Sequence, residues 1–383
     1  MFGNIKRIMA VAMLSLAMAA CQVIPDGGQP GPPPPPPGDA GPSDTVLPTD
    51  EARHRVALLV PLSGDNEDAG RSIANATTMA LLDTSADNLR ITTYDTAAGA
   101  GAAASRAISD GNKLILGPLM RDEVRAVLGQ ARPANVPLIT FSNDLSVAAP
   151  DVFVLGHVPE QSIARTITYA AGQNIRRIAA LLPEGEYGDR AQQALARAAA
   201  SSGATIVATE RYNRGNTSII SAAERLEAGG GYDGVLIADG ARLASMAAGA
   251  MRREDTPLIV LGTELWSGDA AVANSAALRG ALYSSVSDAR YRQFLDSYRG
   301  RFDEQPYRIA TLGYDAVLLV LRVAQDWRPG RDFPTARMLA NDGFLGLDGP
   351  FRFRSDGVGE RAMEVRRVGN GSVSIADPAP TRF

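Results

Sequence analysis

Few residues of this chain stand where chemistry would need them. The two histidines, His54 and His157, have no cysteine and no second histidine at ligand spacing. That isolation points to surface or hinge positions, not to a metal. Cys21 is the only cysteine, so neither an internal disulfide nor a cysteine-based metal site can form. The sequence contains no G-x-S-x-G nucleophile elbow, no H-E-x-x-H and no Walker sequence. Gly229-Gly-Gly-Tyr-Asp-Gly234 fits G-x-G-x-x-G but precedes a strand pattern, so it lacks the phosphate cradle and reads as a loop. Acids are plentiful, yet no pair stands out as an acid/base couple. A binding function therefore leads over an enzyme, and no metal or cofactor is expected.

The stretch with most to offer is Lys113-Leu-Ile-Leu-Gly-Pro-Leu-Met-Arg-Asp-Glu-Val124. Leu114 to Leu116 reads as a buried strand, and Gly117-Pro118 forces a turn. From Met120 onward the pattern is the first turn of a helix, with Asp122 and Glu123 at its positive end. A strand running through a tight turn into a helix is where open α/β sheets place ligands.

Similar units flank it. Arg55–Pro61, a continuous apolar run, and Arg90–Tyr94, Leu114–Leu116, Val136–Phe141 and Val152–Leu155 read as strands. Helical patterns at Ala69–Leu82, Ala97–Ile108 and Met120–Leu128 separate them. The alternation then restarts, with strand patterns at Ile178–Leu182, Ala204–Tyr212, Gly234–Ala238, Pro257–Leu261 and Gly280–Ser284. The expected fold is α/β, as two doubly wound, Rossmann-like lobes of parallel βαβ units. Arg290–Phe302 and Ile309–Gln325 read as long amphipathic helices. Leu345–Arg354 reads as a hairpin strand, with its turn at Asp356-Gly357 and its partner at Ala362–Val368.

The N-terminus carries an address. Lys6 and Arg7 precede an apolar run, Ile8–Ala17, that is too short to span a membrane. Small residues then lead into Cys21, as at a bacterial lipoprotein processing site, which makes residues 1–20 a signal peptide and Cys21 a lipid anchor to a membrane. Residues 21–52 form a linker with six consecutive prolines at Pro32–Pro37. Such a run extends as polyproline II, and about thirty residues reach at most about 100 Å. The formal charge of −4 falls to −6 once Lys6 and Arg7 are removed with the leader. An acidic body argues against a nucleic-acid partner. Gln22 after the cysteine resembles the pattern of lipoproteins sent to the outer membrane, so the expected location is the periplasm, on the inner leaflet of that membrane.

The order of motifs resembles the type I periplasmic binding proteins, in their leucine-binding-domain group. Val60-Pro-Leu-Ser-Gly64, Ile115-Leu-Gly-Pro118, Glu186-Tyr-Gly-Asp189, Leu261-Gly-Thr-Glu264, Gly313-Tyr-Asp-Ala316 and Gly346–Phe353 carry the likeness across residues 53 to 370. It implies lobes joined by three hinge crossovers near Gly156, Ser285 and Leu345. That division puts 53–156 plus 286–344 in a first lobe and 157–285 plus 345–372 in a second, with 373–383 as a tail. Gly117-Pro-Leu-Met-Arg121 and Gly156-His-Val-Pro-Glu160 look most like the penicillin-binding protein activators, lipoproteins that stimulate peptidoglycan synthases. Their N-terminal helical-repeat domain is absent from this sequence.

The same resemblance has a second implication, capture of an amino acid for an ABC permease. The candidate cleft is then Ser63, Met120, Arg121, Ser142, Asn143, Tyr187, Asp239 and Glu264. Glu264 stands where an acid holds the ligand ammonium, and Tyr187 where an aromatic packs on the ligand. Ser142 and Asn143 are placed to donate hydrogen bonds. Met120-Arg121 replaces the small hydroxyl residues usual after the third strand, although an arginine can itself grip a carboxylate with two bonds. That replacement ranks partner binding above solute capture.

Overall fold

The computed structural model describes residues 52–251 and 258–381. The leader, Cys21 and the linker as far as residue 51 lie outside the described residues. Among those described, no helix is long and apolar enough to cross a membrane.

The first lobe begins with β1 (His54–Val60), α1 (Glu67–Asp83), β2 (Leu89–Asp95), α2 (Ala100–Ser109), β3 (Leu114–Leu116), α3 (Arg121–Ala131), β4 (Leu138–Thr140) and β5 (Val152–Val154). Its five strands run parallel in the order β2-β1-β3-β4-β5. Alternation along β1 explains the two layers. Val56, Leu58 and Val60 face one core with Ile73, while Ala57 and Leu59 face another with Ala104 and Val127. A strand buried on both faces must be apolar at every position, and parallel crossovers require that burial.

The second lobe repeats the plan with α4 (Pro159–Gly172), β6 (Arg177–Pro183), α5 (Glu186–Ser202), β7 (Thr205–Tyr212), α6 (Ser218–Gly229), β8 (Gly234–Ile237), α7 (Ala241–Ala250), β9 (Ile259–Gly262), α8 (Ala270–Asn274) and β10 (Leu282–Ser285). The parallel run has the order β7-β6-β8-β9-β10, the same winding as in the first lobe. Two lobes with one strand order and doubly covered sheets are the fold expected from the apolar periodicity.

The chain then returns to the first lobe as α9 (Tyr291–Phe302) and α10 (Ala310–Ala324). Leu312, Ala316, Leu319, Val320 and Val323 recur at helical spacing and seal the first sheet beside α1. A small antiparallel sheet follows, of β11 (Phe344–Gly346), β12 (Gly349–Phe353) and β13 (Gly359–Arg361). Finally β14 (Glu364–Val368) pairs antiparallel with β10, and β15 (Val373–Asp377) pairs antiparallel with β14 at the edge of the second sheet.

Three expectations for this last region need correction. The hairpin partner of β12 is β13, not residues 362–368, because the turn closes between Arg354 and Val358 and the ladder ends at Arg361. The stretch from 345 to 361, expected with the second lobe, packs on the first. Phe351 and Phe353 join the core of Val56 and Leu58, Phe153 meets Phe353 edge-on at 5.3 Å, and Val154 bridges to Val358. Residues 373–377, expected as part of a tail, pair with β14 as an edge strand. The chain thus passes between the lobes after β5, after β10 and after β13.

Candidate functional site

Parallel sheets leave a crevice beyond the carboxyl ends of their strands. Here the two crevices face one another in a cleft of about 580 Å³. Its walls come from the ends of β3, β4 and β5 on one side and β6, β9 and β10 on the other. The turn after β3 is set by Gly117. Its φ of +109° suits only glycine, and a Cβ there would lie 2.1 Å from the Leu59 carbonyl oxygen. The tight turn projects Leu119, Met120 and Arg121 into the opening. As the sequence pattern suggests, Met120 is the N-cap of α3, with Asp122 and Glu123 in its first turn.

Of the eight candidate residues, the cleft gathers Met120, Arg121, Ser142, Asn143, Tyr187 and Glu264. Ser63 and Asp239 do not line it. The Ser63 hydroxyl donates to Asp95 at 3.1 Å, beside a bond from the Leu62 amide to the same carboxylate at 2.8 Å. Asp239 is buried, accepting from the Tyr212 hydroxyl at 2.6 Å and Arg214 Nε at 2.7 Å. Each ties its own strand end together.

The mouth of the cleft is bridged by the protein itself. Arg121, on the first lobe, bonds Asp144 at 3.1 Å and Asp122 at 3.1 Å, and reaches across to Glu186 on the second lobe. Arg190 of α5 grips Glu160 with two bonds, at 2.8 and 2.9 Å, and donates across the cleft to the Asn143 carbonyl. Asp144 is held down to about 2 although burial works the other way, because Ser146 donates to it and Glu186 and Arg121 add to the effect. Glu186 is raised, first by the neighbouring Asp144 and then by burial. Asp144, Glu160, Glu186 and Arg190 were not sequence candidates. Their only signal is that Glu186 and Arg190 sit one helical turn apart beside Tyr187.

The floor of the second lobe is different. The Tyr187 hydroxyl meets Thr263 Oγ1 at 3.1 Å and donates to Glu264 Oε1 at 3.1 Å, and Arg214 lies 5.1 Å from the Tyr187 ring centre. Glu264 Oε2 and Ser267 Oγ are withdrawn from solvent with no protein partner. Burial pushes the Glu264 carboxyl up to about 7 and raises the Tyr187 hydroxyl as well. Leu119, Phe141, Leu265, Ile309 and Leu312 supply the apolar walls.

A carboxyl raised by folding stabilises the folded state below its unfolded value and loses that contribution as pH climbs through its folded one. The wild type should therefore lose stability relative to Glu264→Gln between about pH 4.5 and about pH 7. Melting curves of both proteins across that window check it, and a constant difference would show that the carboxyl is not raised.

Both histidines have structural partners. His54, expected at the surface or a hinge, is buried and stacks on Trp327 at 4.3 Å. His157 lies at the first crossover and contacts Asp348 at 2.7 Å. Among the described residues, no group of three or more His, Cys, Asp or Glu is placed to hold a metal.

Comparisons with known proteins agree with this architecture. The sequence profile described as periplasmic binding protein matches residues 54–372. An uncharacterised protein of Rickettsia prowazekii is 22% identical over 350 residues, covering 85% of this chain and 90% of that one. A branched-chain amino acid ABC transporter periplasmic ligand-binding protein from Burkholderia xenovorans superposes with a TM-score of 0.70 at 16% identity, over 86% of this chain and 94% of that one. The C-domain of LpoA from Haemophilus influenzae, a regulator of PBP1A, superposes with a TM-score of 0.66 at 16% identity, over 84% of this chain and 99% of that domain. At such identities the superpositions establish the fold alone.

Proposed function

The chain belongs to the periplasmic binding protein family, and on that premise we propose that it is a non-catalytic envelope lipoprotein that activates or scaffolds peptidoglycan synthesis through contact with a synthase. The observation that carries this reading is the occupied mouth of the cleft. A zwitterionic ligand needs a free cation or a row of donors for its carboxylate. Here Arg121 is taken by Asp144, Asp122 and Glu186, and Arg190 by Glu160 and Asn143. The lobes are thus held together by the protein's own side chains, and the body offers a partner a ready-made surface. The likeness to the C-domain of LpoA, a regulator of PBP1A, supports the same reading. A lipid on Cys21 would tether the body to the inner leaflet of the outer membrane, and the proline-rich linker would give it reach toward a synthase.

A second reading rests on the cleft floor. The free volume, the unpartnered Glu264 Oε2 and the neighbouring Tyr187 suit a small amino-acid-like ligand passed to an ABC permease.

The full chain should raise the glycan-polymerising rate of a bifunctional penicillin-binding protein from the same organism several-fold. Leucine-like amino acids should leave its melting temperature unchanged, since only a ligand that binds the folded state raises it. A rise with such an amino acid that vanishes in Glu264→Ala, together with no effect on the synthase, would replace this reading by solute capture.

A further inference from the structure

The cleft lies beyond the carboxyl ends of the strands. A second pocket, of about 460 Å³, lies at the amino ends of β1 and β3, on the far side of the first lobe. It is lined by Arg53, Arg55, Gly111, Lys113 and the turn that follows Trp327. Arg53 and Arg55 stand two residues apart where the chain enters β1, and so project to one side. Lys113 stands just before β3, the neighbouring strand, and its amide donates to the Arg55 carbonyl at 3.0 Å. The buried Trp327, stacked on His54, closes the back. Three cations and no acid line this pocket among the described residues, in a chain whose formal charge is −4.

The acids close to Arg55 and Lys113 leave both able to take a further anion. Asp110 offers Arg55 only its backbone carbonyl, at 3.2 Å, because its carboxylate accepts from the Tyr94 hydroxyl at 2.7 Å. The Arg55 guanidinium lies against the backbone of Gly111, where a Cβ would come within 2.8 Å of Nη1. Asp332 pairs with Lys113 at 3.2 Å, but its side chain is 64% exposed, and such a pair holds weakly. Arg328 and Arg331, both exposed on the turn after Trp327, add positive charge around the pocket.

We propose that this pocket binds a phosphate group, free or carried on a lipid headgroup. A carboxylate presents two oxygens and is filled by one guanidinium. A phosphate presents more, enough to accept from the fork of Arg55 and from the point charge of Lys113 together, with Arg53 at the rim. Trp327 and Pro329 give an apolar wall for the carbons of an ester. Position favours the same chemistry. Arg53 follows the first described residue, so the chain that leads back to Cys21 leaves the body beside the pocket. A lipid on Cys21 would confine this end of the body within reach of headgroup phosphates, which attract basic groups near the surface. The site is independent of what the cleft or a synthase contacts.

Lys113 makes the test specific, because the chain has only one other lysine, Lys6. The full chain is treated with an amine-reactive N-hydroxysuccinimide ester, and labelling at Lys113 is followed by peptide mass spectrometry. Inorganic phosphate is compared with chloride and with acetate at equal ionic strength, and phosphatidylglycerol vesicles with phosphatidylcholine vesicles. At least one phosphate source should slow Lys113 labelling several-fold beyond its references, and Arg55→Gln should remove the slowing. Slowing by inorganic phosphate assigns the site to free phosphate, and slowing by phosphatidylglycerol vesicles alone assigns it to the membrane surface. The proposal is overturned if neither source exceeds its references, if acetate matches phosphate while the vesicles do not differ, or if the slowing persists in Arg55→Gln. If Arg55→Gln does not fold, the comparison of each source with its references in the wild type still decides.

Discussion

Asp348→Ala is expected to lower the unfolding free energy by about 3–5 kcal/mol, the usual cost of breaking a buried ion pair from one side. Asp348 has no solvent exposure and is the meeting point of His157, Thr311 and Arg308. Its removal leaves the Arg308 guanidinium with Asp288 at 3.5 Å as its remaining carboxylate, a bond to Thr311 Oγ1 at 2.9 Å, and the Tyr291 ring centre at 4.2 Å. Burial alone would raise the Asp348 carboxyl. Arg308 first, and then His157, hold it well below the ordinary range, so its stabilising contribution is present at neutral pH and fades only in strong acid. Urea unfolding at neutral pH measures the loss. A cost under about 1 kcal/mol would mean that Arg308 finds solvent or another partner once its carboxylate is gone.

Trp266→Ala should cost a similar amount, about 3–5 kcal/mol, from a different source. The indole is fully buried, lies 5.3 Å from the Tyr283 ring and donates from Nε1 to the Asp239 carbonyl at 2.8 Å. It fills the space above Gly262, where a Cβ would sit 2.6 Å from the ring. Truncation therefore opens a cavity and orphans a buried acceptor at once. Trp266→Phe keeps most of the volume and should cost only the bond, about 1–3 kcal/mol. Thermal melts of the two variants separate these contributions, and equal losses would refute the division. Because the turn that contains Trp266 also holds Glu264 in the cleft, the alanine variant should also remove the raised carboxyl there.

The fold was legible because parallel strands covered on both faces have to be apolar throughout, as in Val56–Val60 and Ile178–Leu182. Gly117 and the acids after it marked the turn and helix start, since a residue with a Cβ cannot stand at that turn. What remained hidden depends on contacts between distant segments. Arg121 meets Glu186 and Arg190 meets Asn143, pairs that no local pattern joins. Ser63 and Asp239 had suitable chemistry at suitable strand ends, yet each is consumed within its own lobe. The third passage was misplaced because β12 alternates like any half-buried strand, and only the cluster of Phe153, Phe351 and Phe353 says which core it enters.

The route of the chain also governs how the molecule can assemble. The strands of the first sheet are made early, but α10, which covers Val56, Leu58 and Val60, ends only at Ala324. The central strands of the second lobe, from β6 to β10, are contiguous and need only β14 and β15 to complete their sheet. A chain emerging from its N-terminus would therefore keep half of the first sheet bare while the later lobe condenses around it. Such a bare apolar face is the ordinary target of aggregation and of chaperones. No single cut can release an intact first lobe, since its last pieces lie beyond β6 to β10 of the second in sequence.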